Sequence, residues 1–181
     1  MEIKPRYEHS KGGMFMFNLC AKWTKFVLKH RWLYYLMACT WGIITTISGS
    51  LITLVLAIVK VFIPKKVIFK RYHWIYGITV GPEYWGGCEM GLMFLRDWGS
   101  SENYINPHEF GHTFQNCILG PLFPFVVAIP SAIRYWLREI FPKKKWGPYD
   151  GAWFEDAATQ CGTYAAKILS QAVDTLKEKE N

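Results

Sequence analysis

The sequence has no Cys-x-x-Cys pair, no internal repeat and no nucleic-acid-binding signature, and only 19% of its 181 residues are charged. Its five cysteines, Cys20, Cys39, Cys88, Cys117 and Cys161, are odd in number and widely spaced. That argues against a disulfide framework and against a thiolate metal site, and it fits free thiols in a reducing compartment. Scarce charge, with 51% hydrophobic and 17% aromatic residues, excludes a disordered chain and points towards a membrane. The net charge of +7 comes largely from Lys22, Lys25, Lys29 and Arg31 before an apolar run and Lys65, Lys66, Lys70 and Arg71 after it. Cations so placed suit anionic lipid headgroups, so membrane lipid is an expected partner and nucleic acid is not.

Charge is missing altogether from Leu33 to Val59. As one helix this run is about 40 Å long, enough to cross a ~30 Å hydrocarbon core with some tilt. It is too long for the apolar part of a cleaved signal peptide. The sequence thus predicts a single membrane crossing. Met14 to Arg31 interleaves Phe, Leu and Trp with lysines at helical spacing, which predicts a helix lying in the membrane interface. Residues 1–13 read as a disordered leader. Beyond Pro64, the stretch 66–81 reads as one strand closed by Gly81-Pro82, and 86–97 as a second. The segment 117–140 is apolar but interrupted by Pro121, Pro124 and Pro130, so it is expected as a broken helix, buried or shallowly inserted. A last helix is expected from Gly151 to about Leu176.

The chemistry concentrates in "NPHEFGHTFQ", residues 106–115. With Asn106 as N-cap and Pro107 at the first helical position, a helix should begin here. His108 and His112 then lie one turn apart on one face, where two imidazoles can reach one zinc ion. Glu109 can take a proton from a water at that metal. In the plainer alternative, Glu109 falls at the capping-box position of the same helix. Gly111 speaks for the site, since glycine within a helix costs about 1 kcal/mol and implies close approach of another segment. A third ligand has five downstream candidates: Glu139, Asp150, Glu155, Asp156 and Asp174. Of these, Asp150 reads better as a helix cap.

The block "HEFGHTFQNCILGPLFPFVVAIPSAIRYW", followed by "PYDGAWFEDAATQCG" and preceded by "GGCEMGLMF", resembles a family of small bacterial membrane-anchored proteins with an HExxH metallopeptidase-like motif. That family in turn resembles gluzincins. The resemblance implies His108, His112 and Glu155 as Zn2+ ligands, Glu109 as general base, and a zincin-like α+β domain over 65–181 behind a membrane anchor over 1–64. One departure is Asp156-Ala157, where the family resemblance leads one to expect a smaller pair.

Helix geometry also favours Glu155 over Asp156. At about 100° per residue, Phe154, Ala158, Cys161, Ala165, Ile168 and Ala172 share one face. Glu155 borders that face near Gly151, Ala158 and Gly162, whereas Asp156 is expected towards solvent. A donor for a developing oxyanion is expected among His73, Tyr149 and Tyr164, and the strand around Cys88 to Leu95 is expected to offer an edge to an extended peptide.

The sequence therefore predicts a membrane-tethered zinc peptidase acting on a peptide or protein substrate, with its catalytic domain in the cytoplasm. The polar context of the motif argues against an intramembrane protease. The competing class is a non-catalytic, zinc-stabilised membrane adaptor or immunity-type protein.

Overall fold

The computed structural model describes residues 11–83 and 85–180. The expected leader lies outside these residues, except for Lys11 to Gly13, which open the first helix. The chain is α+β. Helices α1 (Lys11–Lys29), α2 (Arg31–Cys39) and α3 (Ile43–Phe62) precede strands β1 (Ile68–Tyr72), β2 (Ile75–Thr79), β3 (Gly87–Glu89) and β4 (Met93–Arg96). Helices α4 (Glu102–Leu119), α5 (Ile129–Ile140) and α6 (Trp153–Glu180) follow.

Helix α1 is not an interfacial helix standing apart. Met16, Cys20, Thr24 and Val27 recur at helical spacing and are buried. This stripe packs along α6, where Phe17 meets Tyr164 edge-on with ring centroids 5.8 Å apart. An amphipathic period fixes which face is apolar but not what covers it, and here protein covers it.

The uncharged run is also not one helix. It breaks at Thr40 to Gly42, where the Thr40 hydroxyl donates back to the Leu36 carbonyl at 2.7 Å. Gly42 lies close against Asn116, whose amide would have to shift to admit a Cβ there. Helix α2 belongs to the core: Tyr34 is buried, and the Tyr35 hydroxyl donates to the Trp74 carbonyl at 3.0 Å. Helix α3 is the one described helix long and apolar enough to cross a membrane. One side of it rests on the sheet throughout. Thr46 lies against Gly91 and Gly49 against the Met90 carbonyl. Thr53 bonds to the Met93 sulfur, and the Lys60 ammonium sits 5.0 Å from the Phe69 ring centre.

Each of the two expected strands is a hairpin. The first turns at His73-Trp74, with His73 at φ 52°, and pairs Tyr72 with Ile75. The second turns at Met90 to Leu92 through Gly91 at φ 77°. Strand order is β1-β2-β4-β3, with β2 and β4 parallel and the other pairs antiparallel, so β3 is an edge. The first turn has no Gly, Pro or Asn to announce it, which is why the stretch reads as one strand.

Helix α4 begins at Glu102 with Ser101 in the cap position, so Pro107 lies inside it rather than at its start. Proline supplies no N–H there and leaves one carbonyl of the preceding turn without its helical partner. The capping-box reading of Glu109 falls with this earlier start. Gly120, at φ 53°, ends α4. The run that follows, through α5, is bent by 113° from α4. Helix α6 continues to Glu180, beyond the expected end near Leu176.

The core draws on both sides of residue 64: Met16, Cys20 and Tyr34 pack with Ile75, Phe94, Phe110, Phe114 and Cys161. Helices α4 and α6 cross at glycines. A Cβ on Gly111 would overlap the Ala158 carbonyl oxygen, and one on Gly162 would overlap that of Pro107. Gly111 is therefore where close approach is needed, as its cost within a helix implies. Gly151, also expected at this approach, is exposed instead.

Candidate metal centre

The glycine crossing sets the first turn of α6 against the middle of α4. His108 and His112 come from successive turns of α4 and Glu155 from the start of α6, and all three are buried. Glu155 Oε2 lies 3.1 Å from His108 Nε2 and 3.2 Å from His112 Nε2. All three ligand atoms fall within 4.8 Å of one another. Donors about 2.0–2.1 Å from a tetrahedral zinc stand roughly 3.3 Å apart, so these separations are those of neighbouring ligands.

Hydrogen bonds behind the imidazoles fix their orientation. His108 Nδ1 meets the Thr159 hydroxyl at 2.8 Å, and His112 Nδ1 meets Gln115 Oε1 at 2.7 Å. Gln115 Nε2 donates to the Phe154 carbonyl at 2.7 Å. A carbonyl can only accept, so the Gln115 amide nitrogen must face it and the amide oxygen must accept from His112. His112 thus carries its proton on Nδ1 and turns the lone pair of Nε2 towards Glu155. A nitrogen lone pair and a carboxylate at 3.2 Å in a buried site are reconciled by a proton on Nε2 or by a metal ion between or beside them.

With the protein groups alone, the electrostatics favour the proton. Burial acts to raise the Glu155 carboxyl, but the two imidazoles outweigh it and hold the group well below the usual range. Burial acts to lower His112, and Glu155 outweighs it to raise the imidazole. Glu155 Oε1 is buried without a partner. A buried, unpartnered oxygen beside two imidazole nitrogens is what a His2Glu metal site leaves when its protein ligands are considered alone. The residues fit a metal ion.

Glu109 is buried beside the ligands, with Oε2 unpartnered. Burial pushes its carboxyl up to about 8, with Glu155 and Glu89 adding to the rise and His112 opposing it. Edge strand β3 lies directly over it: a Cβ on Gly87 would come within 2.6 Å of Glu109 Oε1. The edge expected over Cys88 to Leu95 is therefore β3 alone, since β4 is interior.

Asp156 is the clear miss. It is fully buried rather than solvent-facing, and it accepts from Gln160 Nε2 at 2.8 Å. A helical wheel with one buried face fails here because α6 is covered from two sides, by α4 and by α1, where Gly12 meets Trp153. Asp150 accepts from the Tyr104 hydroxyl at 2.6 Å and Glu139 is exposed on α5, so neither joins the cluster. The Asp174 and Ala172 side chains lie outside the described set.

Of the three oxyanion candidates, His73 stacks on Phe110 with ring centroids 5.4 Å apart and Tyr164 meets Phe17. Tyr149 lies beside the site. Its hydroxyl is 2.7 Å from Ser131 Oγ, and its pKa is raised by burial and then by the Glu155 carboxylate. Gln115 and Thr159 were assigned no role from sequence. Their signal is spacing, since Gln115 is one turn beyond His112 and Thr159 one turn beyond Glu155. A cavity of about 310 Å³ lined by Lys70, Arg96, Glu102 and Asn106 is bordered by none of the four site residues. Comparison with known protein families, with curated proteins and with solved structures finds no match to this chain.

Proposed function

We propose that this chain is a membrane-associated, zinc-dependent peptidase that hydrolyses peptide bonds in a polypeptide substrate. The observation carrying this reading is the meeting of His108 Nε2, His112 Nε2 and Glu155 Oε2, with the buried Glu109 beside them. Zinc held by those three atoms would supply Lewis acidity to a scissile carbonyl and to a water. Glu109 Oε2 is the free acceptor that takes a proton from that water and passes it to the leaving amine nitrogen. Edge strand β3 supports an extended substrate through main-chain hydrogen bonds, and Gly87 keeps the space over Glu109 free of a side chain. Of the three donors expected from sequence, the Tyr149 hydroxyl is the one whose titration feels Glu155, and it is assigned to a developing oxyanion. The likeness to gluzincin-like membrane proteins supports the same assignment, and five free thiols support a cytoplasmic site.

A zinc-stapled adaptor would need the three ligands but not Glu109, so one substitution separates the two classes. Incubated with a mixed peptide library and analysed by mass spectrometry, the wild type should cleave and Glu109→Gln should not, while both retain zinc. A zinc-loaded wild type that cleaves nothing, or a Glu109→Gln variant that cleaves equally, would overturn the peptidase reading.

A further inference from the structure

Two apolar faces have no protein over them among the described residues. The first is the outer side of α3, where Ile47, Leu51, Leu54, Val55 and Ile58 are each more than half exposed. The second runs from the end of α4 through α5: Leu122, Phe125, Ile129, Ile133, Trp136 and Ile140 are exposed at spacings of three and four, which make one stripe. The faces adjoin at Trp41, at the head of α3. Its indole N–H donates to the Ile118 carbonyl at 3.3 Å, and its ring lies against Gly120. Exposed lysines border both, Lys65 and Lys66 beyond α3 and Lys143 to Lys145 beyond α5.

A simple crossing by α3 does not suit this arrangement. Tyr34, before α3, hydrogen-bonds to the Gly91 carbonyl at 3.4 Å, and Tyr35 to that of Trp74 at 3.0 Å, both after it. Crossing would place those partners about 30 Å apart, on opposite sides of the bilayer. Drawing the whole core into lipid instead would carry in Lys22 and Lys25 on α1, at about 2.5–3.5 kcal/mol for each charge near the centre.

We propose that the outer face of α3 and the 122–140 stripe are one lipid-contacting surface, which seats the protein in one leaflet of an anionic membrane with the whole described chain on one side. Apolar area supplies the insertion and the bordering lysines the preference for anionic headgroups. The inner side of the same run reaches the metal centre: Phe123 is buried, with its ring 6.2 Å from that of His112. The lipid surface is thus roughly one helix diameter, about 10–12 Å, from the ligands. Resting on the peptidase reading, this names the substrate class as a polypeptide segment emerging from, or attached to, the same membrane.

The test uses the full chain with Cys39→Ser and Cys88→Ser, and two reporters, Lys29→Cys before α3 and Lys66→Cys after it. A membrane-impermeant maleimide should label both reporters in the same preparation, either right-side-out or inverted vesicles. Labelling in opposite preparations would overturn the proposal. In a second arm, Ile133→Cys carries a fluorophore in phosphatidylglycerol vesicles containing a doxyl-labelled lipid. Its fluorescence should be lost, while that of Glu139→Cys should persist. An unquenched Cys at 133, or one that instead forms a disulfide with a second copy, would overturn it. Zinc content verifies the fold of every variant. Neither arm reads peptide cleavage, so failure here is distinct from failure of the peptidase reading.

Discussion

His112 Nε2 and Glu155 Oε2 face one another at 3.2 Å, because Gln115 binds the far imidazole nitrogen and turns the ring so that Nε2 meets the carboxylate. It joins residues 43 apart in sequence across two helices, and a metal ion between or beside them fits it.

Gln115 should act on metal affinity without touching the metal. Gln115→Met keeps the side-chain volume but removes the acceptor for His112 Nδ1 and leaves the Phe154 carbonyl without its donor. Loss of such an orienting bond costs about 10–100-fold in metal affinity. Competition against a zinc chelator measures it, and affinity equal to wild type would contradict the role.

The helix crossing should not tolerate a methyl group. Gly162→Ala drives a Cβ into the Pro107 carbonyl, and α6 must move away from α4. Overpacking of this kind costs about 1–3 kcal/mol. Gly147→Ala is the control, because nothing lies within 4 Å of a Cβ there. Thermal unfolding should show a lowered midpoint for the first variant and an unchanged one for the second.

How much of this was legible in the sequence varies by residue. His108, Glu109 and His112 were legible because a helix turns their spacing into proximity. Glu155 was legible because its residue type, helix position and family resemblance agreed. Asp156 was not, since a wheel cannot show that α1 covers the second side of α6. The break at Thr40 to Gly42 was hidden within an uncharged run whose composition is alike on both sides. It depends on Gly42 meeting Asn116, a contact across 74 positions of the chain (116 − 42). The His73-Trp74 turn was hidden because its residues carry no turn signature, and the left-handed conformation at His73 is imposed by strand pairing.

Stability of the chelator-treated protein should fall as pH rises. Burial raises Glu89 to about 7, with the Gly91 amide and Asn116 opposing the rise. An acid raised in the folded state binds its proton more tightly there than in the unfolded chain. Its contribution is therefore fully present below the unfolded pKa and is lost as pH climbs from about 4.5 through 7. The slope from one such group approaches about 1.4 kcal/mol per pH unit. Glu89→Gln, measured by denaturant unfolding across that window, should flatten the dependence. An unchanged slope would contradict the assignment.

The most direct measurement is the metal content of purified wild type, Glu155→Gln and Asp156→Asn after equilibration with limiting zinc. One zinc per chain is expected in the wild type and in Asp156→Asn, because the Asp156 carboxylate bonds to Gln160 within α6. A loss of several orders of magnitude in affinity is expected for Glu155→Gln. Equal zinc retention in the two variants, or a wild type that binds none, would contradict the metal-site assignment.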